Sequence, residues 1–265
     1  IQRCMGIDAM NALSVVTYGL DQKFGTEYNK RYLKYLEWFQ KNDIAANCAQ
    51  TDVKGDRSKR PHEQKDPDMY LRIVERRKDG IVVRGAKAHN TTAAYAEEII
   101  AVPTRFLTPE EKDWAVAFAI PADWDNVHLV CRATSNRERK KLDAPMAHFG
   151  DVESLTIFDD TFIPNDRIFL CGEVEAAGIL ALLFALFHRH SYTGCKPAIG
   201  DITMGYTALV AEYNGVEDAK HVQAKLADLI STTELVYASG IAAAHTSTKD
   251  ASGTYIPNTV YCNVG

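Results

Sequence analysis

The stretch LRIVERRKDGIVV, residues 71–83, carries the signal from which the fold can be worked out. An Asp-Gly pair at 79–80 separates two runs that are rich in β-branched residues. Asp-Gly favours the tight turn that joins two antiparallel strands. The stretch therefore predicts a β-hairpin near residue 80.

Further strand-like runs lie on the C-terminal side of this hairpin, punctuated by prolines. They cover residues 98–102, 114–120, 127–132 and 154–162. Short strands at such spacing are typical of an antiparallel barrel or sandwich. The middle of the chain is therefore predicted to be a small antiparallel β domain, with a polar and exposed loop at 52–68.

The region before residue 45 has a helical pattern. Apolar residues recur there at three- and four-residue spacings, which is typical of a helix with one buried face. Gly25-Thr26 interrupts the pattern, and Thr26 with Glu27 is the candidate cap of the second helix.

The region after residue 171 is predicted to be helical again. The run 176–192 is apolar nearly all round, which predicts a buried helix. Asn214-Gly215 predicts a helix end, and a further helical pattern covers 216–245. The sequence thus predicts an α+β class with three parts: 1–46 helical, 47–170 β and 171–265 helical.

Composition narrows the class of protein. The 265 residues are 46% hydrophobic and 25% charged, with a net charge of −5, so we expect a globular chain and no nucleic-acid partner. No apolar run is long enough to span a bilayer, and six scattered cysteines without a signal peptide favour reduced thiols in the cytoplasm. The chain begins without Met and ends at Asn263-Val264-Gly265 after an apolar run, which suggests a piece of a longer protein.

The segment FHRHSYTGCK, residues 187–196, carries the most distinctive chemistry. On a helix, His188, Tyr192 and Cys195 share one face, so an imidazole, a phenol and a thiol project together. The alternative is that His188 is a satisfied core histidine and Cys195 a small core hydrophobe. Cys4 is a candidate further ligand, although the sequence alone favours a buried or frayed N-terminal thiol.

Three other polar sites have both a functional and a structural interpretation. The segments 49–57 and 83–92 place polar side chains around a glycine, which suits a cofactor but also suits a solvated loop. Glu153 precedes an apolar strand and is either a general base or a surface carboxylate.

Five segments together resemble one family: QRCMG (2–6), TDVKGDR (51–57), IVVRGAKAH (81–89), FIPNDR (162–167) and HRHSYTGCK (188–196). They are similar to the 4-hydroxybutyryl-CoA dehydratases (vinylacetyl-CoA Δ-isomerases), in the 4-hydroxyphenylacetate 3-hydroxylase group. The resemblance covers essentially the whole chain. It implies an acyl-CoA-dehydrogenase-like fold, with N-terminal helices, a central antiparallel β domain and a C-terminal helical bundle that this chain carries only in part.

The resemblance also implies two cofactors, FAD and a [4Fe–4S] cluster. It assigns Cys4, His188 and Cys195 as cluster ligands, and its fourth cysteine falls just before Ile1. We therefore expect the chain alone to be inactive and unable to assemble a four-ligand cluster. The residues that it places along the flavin are Gln50, Thr51, Asp52, Lys54, Gly55, Asp56, Arg57, His89, Asn90 and Thr91.

The implied reaction converts 4-hydroxybutyryl-CoA into crotonyl-CoA and water by a radical route, in a cytoplasmic homotetramer with no membrane partner. Removal of the C2 proton and transfer of one electron to the flavin make the C3 hydrogen acidic. The candidate catalytic residues are His188, Glu153, Tyr192, Lys196 and Gln2. A released His188 has a suitable pKa to act as the base, whereas Glu153 handles the second proton or orients His188.

Two other functions remain open at the level of sequence. A flavin-dependent aromatic hydroxylase of the same fold needs the flavin segments but no cluster. A flavin-binding fragment without activity needs only the segments 50–57 and 89–91.

Overall fold

The computed structural model describes residues 4–132 and 152–265. Contacts within the chain group into two compact units, residues 1–183 and 184–265. The first two parts that the sequence predicts therefore lie in one unit. The three-part division itself stays a prediction.

Two helices open the first unit, α1 (Cys4–Phe24) and α2 (Tyr28–Lys41). Gly25 ends α1 in a left-handed conformation with φ +65°. The expected cap at Thr26 and Glu27 is wrong, because Glu27 makes no side-chain capping bond. Instead, the Asp21 carboxylate accepts from the backbone N–H groups of Tyr28 at 2.8 Å and Asn29 at 3.0 Å. A carboxylate from the preceding helix thus supplies the cap that α2 needs.

Eight strands follow in the described part of the first unit. They are β1 (Ala46–Ala49), β2 (Arg72–Arg76), β3 (Gly80–Thr91), β4 (Glu98–Ala101), β5 (Val116–Pro121), β6 (Val127–Cys131), β7 (Glu153–Pro164) and β8 (Ile168–Cys171). They form two four-stranded sheets with the orders β1-β4-β5-β8 and β2-β3-β7-β6. All neighbours are antiparallel except β1 and β4, which are parallel.

The hairpin at residues 79–80 is confirmed. β2 pairs with β3 in antiparallel register, from Arg72 opposite Arg84 to Arg76 opposite Ile81. A side chain at Gly80 would collide with the Ile163 carbonyl oxygen on β7, so this position requires glycine. The later strand predictions are also confirmed, with ends that shift by one or two residues.

The core of the first unit lies between its two sheets. Phe118 on β5 meets Phe158 on β7 edge to face, with ring centroids 5.5 Å apart, and both side chains are fully buried. Ile99 and Ile100 of β4 are buried as well, so this strand has no solvent face. Burial of large aromatic and aliphatic side chains is the main term that holds the sheets together.

The remaining chain is mostly helical. α3 (Val174–Tyr213) is a single 40-residue helix that continues through Pro197. It is followed by α4 (Lys220–His245), the short strands β9 (Thr248–Lys249) and β10 (Tyr255–Ile256), and α5 (Thr259–Val264). Gly215, with φ +62°, lies just beyond the end of α3, as predicted.

The prediction that the helix over 176–192 is buried all round is wrong. Ile179 is 51% exposed and Leu182 is 57% exposed, whereas Ala177 and Leu180 are fully buried. The described residues of this chain cover only one face of α3, which leaves the other apolar face open. Among the described helices, none combines the length and the apolar character needed to cross a membrane.

Candidate active site

A β-bulge in β3 shapes the first group of candidate residues. Lys87 lies opposite Thr156 and Asn90 lies opposite Ser154, so β3 carries one more residue than β7 across this interval. His89 sits inside the bulge with φ +58°, and its side chain points to solvent. Bulges bend a strand and redirect one side chain, and they recur beside active sites.

The bulge brings Glu153 to the segment predicted to hold the flavin. Glu153, at the start of β7, pairs with Thr91, at the end of β3. The Thr91 hydroxyl donates to Glu153 Oε1 at 3.3 Å, and His89 Nδ1 lies 3.7 Å from Glu153 Oε2. One candidate catalytic carboxylate and two candidate flavin residues therefore meet at one point of the sheet.

Asn90 and Asn47 hold this end of β3 in place. The Asn90 amide is buried and donates to the Lys87 carbonyl oxygen at 3.1 Å and to the Thr156 hydroxyl at 2.7 Å. Asn47, on β1, donates to the Thr91 carbonyl oxygen at 2.6 Å. Asn47 is not among the predicted site residues, since an asparagine in a four-residue strand carries no distinctive local pattern.

Asp52 forms a buried ion pair with Lys87. Lys87 Nζ lies 2.8 Å from Asp52 Oδ1, and both side chains are at least 95% buried. The ammonium group also donates to the carbonyl oxygens of Gln50 and Val102, each at 2.9 Å. The Asp52 carboxylate accepts from the Leu71 N–H at 3.1 Å and from the Thr104 hydroxyl. Asp52 thus fixes the loop that begins at Gln50.

Lys87 is also absent from the predicted site residues, although the sequence contains a signal for it. Val83, Gly85 and Lys87 alternate along β3 and all three are buried. A lysine in phase with inward positions of a strand is buried, and a buried lysine requires an anionic partner.

The loop after Asp52 is organised by the buried side chain of Gln64. Its amide oxygen accepts from the Asp56 N–H at 3.0 Å, and its amide nitrogen donates to the carbonyl oxygens of Asp56 at 2.8 Å and Lys59 at 3.2 Å. Gly55 has φ +51°, and a Cβ there would lie 2.6 Å from Gln64 Oε1. The close approach and the left-handed backbone both favour glycine.

A second anchor holds the far end of the loop. The Glu111 side chain has no solvent exposure and accepts from Arg60 Nε at 2.9 Å, with His62 Nδ1 at 3.0 Å. Burial pushes the pKa of the Glu111 carboxyl upward. Hydrogen bonds from Arg60, from the Thr108 N–H and from His62 outweigh burial and bring the pKa below its usual 4.5.

The side chains that remain available suit an anionic flavin nucleotide. Thr51, Lys54 and Arg57 make no side-chain hydrogen bond or ion pair with any residue that the structure describes. Two cations and a hydroxyl therefore project from a loop whose backbone is fixed at both ends. Such donors match the pyrophosphate and sugar of FAD, so the residues present fit this cofactor.

The second group of candidate residues lies on α3, within the second unit. The His188 ring stacks on Phe184 with centroids 5.5 Å apart and contacts Tyr192 at 4.3 Å. Lys196 Nζ lies 4.7 Å from the Tyr192 ring centroid. Cys195 Sγ lies 3.8 Å from the Tyr192 carbonyl oxygen. The imidazole, phenol and ammonium groups thus follow one another along one side of the helix, and the thiol lies beside them.

A cleft of about 640 Å³ opens beside this row of side chains. Tyr192 and Lys196 line it together with Arg189 and Thr193 of the same helix. Val236 and Cys262 contribute the facing side. Two cations beside a phenol suit a substrate that carries or develops negative charge.

The described donors fit part of an iron–sulfur site. His188 and Cys195 lie about two helical turns apart on α3 and provide an imidazole and a thiol. Both are ligand types that iron accepts. Within 4–132 and 152–265, no group of three or more metal-binding side chains comes together. The side chain of Cys4 and the whole of Gln2 lie outside the described residues.

The order of helices and sheets matches the acyl-CoA dehydrogenases. A glutaryl-CoA dehydrogenase from Mycobacterium smegmatis superposes with a TM-score of 0.55 at 16% identity, over 91% of this chain and 55% of that one. This likeness shows the fold, which is acyl-CoA-dehydrogenase-like as predicted.

The family follows from the sequence match. Residues 1–170 match the 4-hydroxyphenylacetate 3-hydroxylase N-terminal domain, and residues 177–265 match the C-terminal domain of the same family. The chain belongs to the 4-hydroxyphenylacetate 3-hydroxylase family.

Its relatives include enzymes of two kinds. The 4-hydroxybutyryl-CoA dehydratase/vinylacetyl-CoA-Δ-isomerase of Clostridium aminobutyricum is 46% identical over 99% of this chain and 55% of the relative. The oxygenase component of 4-hydroxyphenylacetate 3-monooxygenase from Thermus thermophilus is 30% identical over 95% of this chain and 52% of the relative. The chain spans about half the length of these proteins.

Solved structures show the same order of similarity. An oxygen-tolerant archaeal 4-hydroxybutyryl-CoA dehydratase from N. maritimus superposes with a TM-score of 0.92 and 41% identity, over 99% of this chain and 53% of that one. The oxygenase component of a 4-hydroxyphenylacetate 3-monooxygenase, complexed with FAD, superposes with a TM-score of 0.85 and 26% identity, over 98% of this chain and 55% of that one. The resemblance to the dehydratases that the sequence predicts is confirmed.

Proposed function

We propose that these residues form part of an enzyme that dehydrates 4-hydroxybutyryl-CoA to crotonyl-CoA and isomerises vinylacetyl-CoA. The observation that carries the proposal is the row of His188, Tyr192 and Lys196 along α3, with Cys195 beside it. The higher identity to the dehydratase, 46% against 30% for the monooxygenase, supports the same choice.

His188 acts as the base in this proposal. The thioester acidifies the C2 hydrogen, and an imidazole titrates near neutral pH, so it can accept that proton. The stacked ring of Phe184 and the contact with Tyr192 hold the imidazole in one orientation. His188 would act as the base once released from the cluster that it would help to hold, and these two contacts would then keep the ring oriented for proton transfer.

Tyr192 and Lys196 serve the departing hydroxyl group. The phenol lies one helical turn from His188 and donates its proton to the leaving oxygen. Lys196, 4.7 Å from the Tyr192 ring, stabilises the negative charge that develops there. Both side chains face the cleft that would admit the substrate.

Glu153 works with the flavin segments. Its contacts with Thr91 and His89 place a carboxylate at the end of β3. In this mechanism Glu153 accepts the second proton, because a carboxylate fixed by a hydroxyl donor can accept a proton without moving. A role in orienting His188 stays the alternative.

Two cofactors complete the proposal. Gln50–Arg57 and His89–Thr91 would hold FAD, and in these segments Asp52 and Asn90 act mainly by fixing the backbone. When bound, FAD supplies the one-electron chemistry that makes an unactivated C3 hydrogen acidic. His188 and Cys195, with Cys4 and a cysteine from elsewhere, would hold a [4Fe–4S] cluster, which supplies a Lewis acid for the hydroxyl group. A cytoplasmic homotetramer belongs to the same proposal.

Turnover by the whole gene product that contains this chain tests the proposal. Incubated without oxygen, it should convert 4-hydroxybutyryl-CoA to crotonyl-CoA, and iron and acid-labile sulfide should accompany the flavin. His188→Asn should abolish turnover, whereas the exposed His221→Asn on α4 should not change it. Full activity in His188→Asn would contradict the assignment of the base.

The aromatic hydroxylase is the competing function. It predicts oxygen-dependent hydroxylation of a phenol by the same gene product supplied with reduced FAD, with no iron. That result, in place of dehydration, would replace the dehydratase proposal.

A further inference from the structure

A cleft of about 340 Å³ lies in the first unit, between α2 and the turn that follows β7. Its floor is aromatic and cationic. The Arg167 guanidinium lies 5.3 Å from the Tyr35 ring centroid and 5.2 Å from that of Trp38. Neither the candidate flavin segments nor the α3 residues line this cleft.

A buried carboxylate fixes the floor. Arg167 donates to Glu98 Oε2 at 2.8 Å, and the Tyr35 hydroxyl donates to the same oxygen at 3.0 Å. The Glu98 side chain is almost fully buried. Arg167 is therefore held beside the two rings, while Trp38 remains partly open to solvent.

Cations from α2 form the wall of the cleft. Lys30, Arg31 and Lys34 all line it, and Lys34 lies four residues after Lys30 and three after Arg31, which puts the three on one side of the helix. Lys30 is neutralised by Glu27 at 2.9 Å. Arg31 and Lys34 form no ion pair with any residue that the structure describes. Two uncompensated positive charges thus lie beside an aromatic floor, in a chain whose net charge is −5.

A neighbouring cleft of about 310 Å³ shares Arg31 and adds Arg76 and Arg77. These two arginines are already paired, Arg76 with Asp113 at 2.6 Å and Arg77 with Glu75 at 2.7 Å. The free cationic charge is therefore concentrated at Arg31 and Lys34, next to the aromatic floor.

We propose that this cleft binds a purine nucleoside phosphate. Bases stack on indole rings and on guanidinium planes, as Trp38 and Arg167 present them. Arginine and lysine recognise phosphate, and Arg31 and Lys34 are placed for it. The volume lies at the lower end of the range for small-molecule sites, about 300–1,000 Å³, and suits a mononucleotide. Asp166, on the rim, is an acceptor for a sugar hydroxyl.

The nucleotide can come from two sources with the same chemistry. One is a free nucleotide, and the other is the nucleotide end of an acyl-CoA. The site does not depend on the proposed dehydration, because none of its residues belongs to the proposed catalytic set.

Calorimetric titration of the 265-residue chain, with tryptophan fluorescence as a second readout, tests the proposal. The ligands are adenosine monophosphate, coenzyme A, adenosine and inorganic phosphate. The nucleotide should bind and quench fluorescence, and Trp38→Leu should remove that quenching while Trp114 and Trp124 remain. Adenosine and phosphate alone should bind more weakly, since each engages only half of the site.

Charge variants on one helix supply the control. Lys34→Gln should weaken binding roughly tenfold, the loss expected for one charge-assisted hydrogen bond. Lys41→Gln removes an exposed lysine from the end of the same helix, outside the cleft, and should leave binding unchanged. Binding of coenzyme A but not of the free nucleotide, with the same dependence on Lys34, identifies the acyl-CoA source and supports the proposal. Absence of binding by both, or equal losses in the two lysine variants, would overturn it.

Discussion

At the scale of single residues, Lys87 is the side chain on which the candidate flavin site most depends. A buried ammonium group is costly unless several oxygens surround it. Lys87 has three, from Asp52 and Gln50 at the start of the loop and from Val102 at the end of β4. One cation therefore ties the start of the flavin loop to the sheet.

Replacing Lys87 by methionine should destabilise the chain strongly. The Asp52 carboxylate would remain buried without its partner, and removing one member of a buried ion pair costs about 3–5 kcal/mol. Urea unfolding measures the loss. Lys59→Met, at an exposed position of the same loop, is the control and should change the free energy of unfolding by less than about 0.5 kcal/mol. Equal effects of the two substitutions would show that the ion pair does not anchor the loop.

The residues of the α3 site were easier to predict than those of the flavin site. His188, Tyr192 and Cys195 lie within two turns of one helix, so spacing alone places them together. Glu153 and Thr91 are 62 residues apart, and only the register of β3 against β7 joins them. A local pattern contains no information about that register.

At the scale of elements, the start of α2 depends on Asp21. Asp21→Ala should destabilise the chain by about 1–2 kcal/mol, because two backbone N–H groups of α2 lose their acceptor. Thr26→Ala should cost less, since the Thr26 hydroxyl only donates to Asp21. Thermal unfolding of the two variants distinguishes them, and a larger loss for Thr26→Ala would restore the cap expected from the sequence.

The anchor at Glu111 gives the flavin loop a dependence on pH. The pKa of Glu111 is lower in the folded chain than its usual 4.5, despite burial, because of the hydrogen bonds from Arg60, Thr108 and His62. The resulting stability is present above pH 4.5 and is lost as the pH falls through the folded pKa.

Glu111→Gln should therefore lower the free energy of unfolding by about 1–3 kcal/mol at pH 7. The difference from the unsubstituted chain should shrink as the pH falls below 4.5. Urea titrations at several pH values measure this trend, and Glu212→Gln, at an exposed position of α3, is the control. A difference that stays constant in acid would mean that the charge of Glu111 is not the cause.

Elements differ in how far their sequence reveals them. The hairpin of β2 and β3 carries an Asp-Gly turn and alternating residues, so it is predictable. β1 and β8 are four residues long and mostly buried, with no alternation, and were not predicted individually. Asp21 caps α2 from the preceding helix, a contact that a search for a cap beside the helix start overlooks.

At the scale of the whole molecule, the helical second unit exposes much apolar surface. Ile202, Tyr213 and Leu235 are among the large side chains that are more than half exposed. Contiguous exposed apolar patches are unusual on monomeric proteins and commonly mark surfaces of interaction. The segment 176–192 is apolar nearly all round, but the described residues bury only one of its faces.

Leu235→Gln should leave the free energy of unfolding within about 0.5 kcal/mol of the original chain, because Leu235 is 68% exposed. It should also reduce binding of a hydrophobic dye such as ANS. Ala243→Gln, at a fully buried position of the same helix, should instead destabilise the second unit. Strong destabilisation by Leu235→Gln would show that α4 packs differently.

The pairing of β3 with β7 also governs the order of assembly during synthesis. Ribosomes add about 5–20 residues per second, so the 62 residues between Thr91 and Glu153 take roughly 3–12 seconds to appear. During that interval β3 of the nascent chain can pair with β2 along one edge. The backbone N–H and C=O groups along its other edge lack the hydrogen-bond partners that β7 later provides. The nascent chain is then most prone to aggregate, and a chaperone that covers this strand edge would raise the yield of folded protein.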